Sequence, residues 1–143
     1  MTQFSRKDSR IKVYQNLKTG IVNGLNQGIS LAKSDFIARM DADDIMLPHR
    51  LSEQMQVMHA RADLGLISSL VKHIPSGNHD TRGYKSYVKW TNEIKSSNEI
   101  SVSRFIESPF AHPSVIFRKE LIHMYGGYRS GDFPEDYELW LRF

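Results

Sequence analysis

Hydrophobic and polar positions change period along this chain, and each change predicts an element. Ile11-Lys12-Val13-Tyr14 alternates apolar and polar, which predicts a short strand. Ile21, Leu25, Ile29 and Ala32 then recur at helical spacing on one face. Gly20, Gly24 and Gly28 fall every four residues on the same segment. Each glycine costs a helix interior about 1 kcal/mol against alanine, so another backbone or a ligand is expected to approach closely. Asp35 to Met40 predicts a second strand with Phe36, Ala38 and Met40 on one face. After it, Pro48 suits a helix start and Leu51, Met55 and Met58 line one side. Leu64 to Val71, apolar except for serines, predicts a strand buried on both faces.

The pattern weakens from His73 to Arg104, which contains Pro75, Gly77 and Gly83 and no sustained period. Within it Ser96-Ser97-Asn98-Glu99 resembles a capping box, predicting a short helix that carries Ile100, Phe105 and Ile106. Ser114 to Phe117 predicts a strand after Pro113, and Lys119 to Tyr125 a helix stopped by Gly126-Gly127. Pro134 opens a last helix with Glu135, Asp136, Tyr137, Glu138, Leu139 and Trp140. Strands alternating with helices predict an α/β chain with a mostly parallel sheet flanked by helices. A strand directly at the start and a helical pattern still running at Phe143 lead to the expectation of one partial domain, 1–143, cut from a larger protein.

Composition narrows the chemistry. The chain has 143 residues, 40% of them hydrophobic and 10% aromatic, enough for one core and too much for a disordered segment. A net charge of +3 falls short of the dense basic footprint of a nucleic-acid binder, so no nucleic acid is expected as partner. The absence of cysteine excludes disulfides, Cys-ligated zinc, iron–sulfur clusters and a thiol nucleophile. No apolar run approaches the ~20 residues of a membrane span, and Met1 to Arg10 lacks a signal-peptide core. An intracellular, cytoplasmic location is the expectation.

Two acidic groups are candidates for chemistry. Asp41-Ala42-Asp43-Asp44 ends an apolar strand, where ligands bind in open α/β sheets. Three carboxylates in four residues repel one another, so something must offset their charge. Asp41 and Asp43 can point the same way and share a hard cation such as Mg²⁺ or Mn²⁺ on a substrate diphosphate. Alternatively the segment is a polar turn in which Asp44 caps backbone N–H groups. An EF-hand is excluded because Met46 and Ser52 stand where it needs glycine and glutamate. Glu135 and Asp136, after Pro134, either answer a helix dipole or display a general base at a cleft rim. His112, before Pro113, is a candidate contact for substrate or metal, while His49, His59, His73, His79 and His123 lack ligand spacing. Lys85, Lys89 and Trp90 read as surface.

In order, Asn26-Gln27-Gly28-Ile29, Ala32-Lys33-Ser34-Asp35, Ala38-Arg39-Met40-Asp41-Ala42-Asp43-Asp44 and Pro48-His49-Arg50-Leu51 resemble family-2 inverting glycosyltransferases. His112-Pro113-Ser114, Gly126-Gly127-Tyr128 and Glu135-Asp136-Tyr137-Glu138-Leu139-Trp140 continue the series. The resemblance runs from about Arg10 to Phe143, and it implies a partial GT-A fold whose first, nucleotide-binding strands would precede Ile11.

It also implies transfer of a sugar from a nucleotide-diphospho-sugar, a UDP-sugar foremost, to a carbohydrate or lipid-linked acceptor. Asp43 and Asp41 would hold Mn²⁺ or Mg²⁺, with Asp41, Asp43 and Asp44 on the donor side. Asp136 would be the catalytic base, Glu135 its acceptor-side support, and His112 and Trp140 weaker acceptor-side residues. Bacterial polysaccharide or surface-glycan synthesis at the inner membrane face is the implied setting. Missing strands would leave sheet edges open to self-association. Two rivals remain: a haloacid-dehalogenase-like phosphatase with Asp41 as nucleophile and Asp43 as acid/base, and a non-catalytic binding module.

Overall fold

The computed structural model describes residues 2–75 and 81–143, so Gly77 and His79 lie outside the described residues. The chain divides into two compact units, Met1–Ala32 and Lys33–Phe143.

The first unit holds two helices, α1 (Thr2–Lys7) and α2 (Ile21–Leu31). The connection between them is closed by amides. Asn16 Nδ2 donates to the Gly20 carbonyl (3.1 Å), and Gln27 Nε2 donates to the Gln15 carbonyl (3.2 Å). The expected strand at Ile11 to Tyr14 is absent: these residues lie outside any regular element and expose Ile11, Val13 and Tyr14. Alternation alone does not make a strand without a neighbour to complete its ladder. The glycines also act differently from expectation. Gly20 caps α2 at φ 108°, a backbone state that favours glycine, whereas a Cβ on Gly28 would meet nothing within 4 Å.

The second unit is built on a three-stranded sheet ordered β1-β3-β2, from β1 (Phe36–Ala38), β2 (Leu66–Ser68) and β3 (Val115–Arg118). The α/β class holds, but the expected mostly parallel pairing does not: both ladders are antiparallel. β1 and β2 run the same way, and β3, last in sequence, inserts between them in the opposite sense. Pattern in sequence carries no information on that direction. β3 is the strand buried on both faces, with Val115, Ile116 and Phe117 at 1% exposure or less. β2 was expected in that role but is a half-buried edge. Both edge strands have three residues, which limits the ladder a second copy could extend.

Among the described residues five helices accompany this sheet in sequence: α3 (Arg50–Ala60), α4 (Arg82–Glu93), α5 (Ser97–Ser103), α6 (Glu120–Tyr125) and α7 (Glu135–Arg142). The capping box at α5 forms as predicted: Ser96 accepts from the Glu99 N–H, and Glu99 accepts from the Ser96 N–H at 2.8 Å. α6 stops at Gly126 with φ 84°. α4 lies in the stretch where no period was legible. Its Tyr87 hydroxyl is shared between the Ser108 and Phe110 carbonyls (both 3.1 Å), and Asn92 pairs with both backbone groups of Val71.

Phe117 and Met58 are fully buried, and Phe117 packs against Trp140 and Phe143 with ring centroids 6.0 and 5.7 Å apart. Phe117→Ala is expected to lower unfolding free energy by about 3–5 kcal/mol in urea titration. Ile106→Ala, at a position 72% exposed, should change it by less than about 0.5 kcal/mol.

Candidate active site

Arg39, one residue past β1, organises the site. Its side chain is only 10% exposed and pairs with Asp41 at 2.6 Å. The cation that offsets the acidic loop is therefore covalently two residues upstream of it. The Arg39 backbone stays in the sheet, donating to the Val115 carbonyl at 3.0 Å. Asp43 and Asp44 lie exposed in the turn that follows. Although Asp44 is exposed as a residue, partial desolvation of its carboxyl first, and then the charges of Asp41 and Asp43, push that carboxyl above its ordinary range.

α3 fixes where β1 ends and β3 begins. Arg50 Nη2 donates to the carbonyls of Arg39 (3.1 Å) and Val115 (3.2 Å). Gln54, which accepts from Arg50 Nε at 2.9 Å, donates to the Ser114 carbonyl at 2.9 Å. These bonds fasten the Arg39–Asp41 end of β1 to the turn His112–Ser114 that leads into β3.

That turn delivers His112 to the start of α7. Its Nε2 lies 2.8 Å from the Tyr128 hydroxyl and its Nδ1 lies 4.0 Å from Asp136 Oδ2. Among the described residues, one trio of possible metal-ligating side chains has donor atoms within 4.8 Å of one another: His112, Glu135 and Asp136. Asp41, Asp43 and Asp44 do not form such a trio. Asp136 sits in the first turn of α7, where Pro134 precedes the helix. Burial raises its carboxyl above the ordinary range and the Glu135 charge adds to this, while the Tyr137 backbone N–H and Arg39 pull it down. Arg39 and Asp41 also act electrostatically on His112 and Tyr128, so the two acidic groups face one shared electrostatic environment.

Trp140 does not offer an acceptor platform. It is 4% exposed, and His112, Phe110, Phe117, Tyr128 and Phe143 surround its ring. It forms the floor beneath His112. Arg39, Arg50, Gln54 and Tyr128 were not singled out as site residues from sequence. A lone arginine within the apolar Phe36–Met40 run, directly before three acids, is the signal that could have identified Arg39.

Burial, and then Arg39, keep the His112 imidazole neutral down to about pH 4, against an ordinary 6.5. Below pH 6.5 the unfolded chain takes up a proton that the folded chain refuses. The stability involved is complete above 6.5 and is lost as pH falls toward 4, by about 3 kcal/mol. Thermal unfolding across pH 4 to 7 should show this slope, flattened in His112→Asn. Asp136 contributes with opposite sign: its raised carboxyl makes the folded state less stable as pH rises through the carboxylate range, so Asp136→Asn should gain stability at neutral pH.

No helix among the described residues is long and apolar enough to cross a membrane. The family model for glycosyl transferase family 2 matches residues 1–126. An Escherichia coli O-antigen biosynthesis glycosyltransferase, WbnJ, is 32% identical over 99% of this chain and 52% of its own length. The Erwinia amylovora amylovoran biosynthesis glycosyltransferase AmsE is 32% identical over 86% of this chain and 43% of its own. A third relative, the E. coli UDP-Gal:alpha-D-GlcNAc-diphosphoundecaprenol beta-1,3-galactosyltransferase, is 32% identical over 86% of this chain and 42% of its own. The chain thus spans about half the length of these relatives or less. No solved structure matches it significantly. With the family in view the haloacid dehalogenase alternative falls away. The chain belongs to glycosyl transferase family 2, and its α/β arrangement is that of the family's GT-A fold.

Proposed function

We propose that this chain carries the catalytic base and the acidic donor loop of an inverting transferase, which moves a sugar from a nucleotide-diphospho-sugar to an acceptor hydroxyl. The observation that carries this reading is the half-buried Asp136 carboxylate, raised by burial and Glu135, beside His112 and in the field of Arg39. A base whose pKa is lifted toward the working pH accepts a proton more readily. Asp136 removes the acceptor hydroxyl proton, and the oxygen bonds to the anomeric carbon from the face opposite the nucleotide. The bond from that carbon to the phosphate oxygen breaks, its electron pair leaving with the nucleoside diphosphate. Glu135 lies on the acceptor side and keeps Asp136 basic.

The acidic loop has the donor chemistry of a hard divalent cation site, all carboxylate oxygens. Burial and then the charges of Asp41 and Asp43 leave Asp44 raised even with Arg39 paired to Asp41, a repulsion that a cation drawing the three together would relieve. Asp43 and Asp41, with Asp44 beside them, would hold Mg²⁺ or Mn²⁺. When bound, the ion supplies positive charge against the diphosphate. The names of the relatives, which specify O-antigen or amylovoran biosynthesis, a UDP-galactose donor and a diphosphoundecaprenol-linked acceptor, support a UDP-sugar donor, a lipid-linked acceptor and bacterial polysaccharide synthesis for this chain.

Calorimetric titration of nucleoside diphosphates and their sugars, with and without Mn²⁺, tests the donor loop in the full chain. Metal-dependent binding that disappears in Asp43→Asn is expected; binding indifferent to both sinks the loop's role. Asp136→Asn should lower transfer by about 10²–10⁴-fold while leaving donor affinity unchanged. Parallel loss of both would remove Asp136 as the base.

A further inference from the structure

We propose that Tyr128 and His112 are positioning residues for Asp136: the tyrosine hydroxyl fixes the imidazole tautomer, so that Nδ1–H faces the carboxylate. The inference rests on the reading of Asp136 as base. The imidazole is enclosed on several sides. Its Nε2 meets the Tyr128 hydroxyl at 2.8 Å, its ring stands edge-on to Trp140 with centroids 5.8 Å apart, and its Nδ1 points toward Asp136 Oδ2 at 4.0 Å. Tyr128 is itself 5% exposed, so its hydroxyl does not exchange this partner freely for water.

A neutral imidazole has two tautomers. In one, Nε2–H donates to the tyrosine oxygen and the Nδ1 lone pair faces the carboxylate, lone pair against negative charge. In the other, Tyr128 donates to Nε2, and Nδ1–H presents its positive end to Asp136. The second is favoured electrostatically while Asp136 is ionised. The charged groups acting on this pair are Arg39, Asp41 and Glu135, and the Asp136 carboxylate also accepts from the Tyr137 backbone N–H. Arg39 alone is cationic and its guanidinium is paired with Asp41, so His112 adds a side-chain donor to the backbone one that already holds the base. Burial keeps the imidazole neutral throughout the working range, so the N–H supply does not vary with pH. At 4.0 Å the contact is longer than a hydrogen bond; one bridging water or a small shift of Asp136 spans it.

Long-range ¹⁵N–¹H correlation on the full chain reads the tautomer directly, without any need for activity. A protonated Nδ1 and bare Nε2 are expected at neutral pH, and the reverse overturns the proposal. Tyr128→Phe keeps the ring contacts and removes the hydroxyl. It should mix the tautomers, lower kcat by about 10- to 100-fold with donor KM unchanged, and move the acid limb of the kcat profile to higher pH. His112→Asn, whose amide N–H stands near the position of Nδ1, should retain more activity than His112→Ala. Unchanged kcat and profile in Tyr128→Phe, with Asp136→Asn inactive, refute positioning alone. Full activity in Asp136→Asn instead refutes the base, whatever the tautomer. Should Tyr128→Phe fail to fold, the wild-type tautomer and the His112 pair decide.

Discussion

The hydrogen bonds from Arg50 and Gln54 to three carbonyls are what the site depends on. β1 and β3 pair over only three residues, too short a ladder to set the position of the chain beyond its end. Past that point the carbonyls of Val115 and Ser114 still accept from the Arg39 and Ser69 N–H groups, and the Arg39 carbonyl takes its bond from Arg50. A buried carbonyl without one costs about 1–3 kcal/mol. Arg50 and Gln54, one turn apart on α3, supply that bond, add a second donor to the carbonyls of Val115 and Ser114, and bond each other. The acidic loop leaves from one side of this junction and His112 from the other. Their proximity is thus a by-product of satisfying backbone groups, built from side chains that need not touch a substrate.

A second consequence concerns charge. Arg39 is held by its backbone in the sheet and by its side chain against Asp41, so a fixed cation stands amid Asp41, Asp44 and Asp136. It lowers the proton affinity of Asp44, Asp136 and His112 together. Burial opposes it on Asp136 and reinforces it on His112. The acid is pushed up and the imidazole down, so the two proton affinities draw together, leaving one group inclined to take a proton and its neighbour inclined to stay neutral.

Much of this was legible in the sequence wherever the signal was local. The capping box at Ser96 and Glu99, the glycine stop at Gly126 and the proline start at Pro134 each predict an element that forms, because each acts within one helical turn. The direction of β3 was not legible, since it is decided by partners some 80 residues apart, as with Ile37 and Phe117. α4 was hidden because its apolar positions are carried by Tyr87, Trp90 and Thr91, whose polar atoms blur the period. For the site, acidic residues stood out by type and spacing. The bond between His112 and Tyr128 did not, because it joins residues 16 apart with β3 and α6 between them.

α7 is anchored most firmly at the end away from Asp136. Arg142 closes on Glu138 within the helix and reaches the carbonyls of Tyr125, Gly126 and Gly127, groups left open where α6 stops. Near its start the helix is held by the Tyr137 hydroxyl on the Arg104 carbonyl. Six residues separate Asp136 from Arg142, an arm of about 9 Å at helical rise. In mechanical terms the base is carried on a helix stapled at both ends, by the carbonyl clamp on Arg142 and by the Tyr137 hydroxyl one residue from Asp136, and the 4.0 Å separation from His112 is the spacing those staples hold.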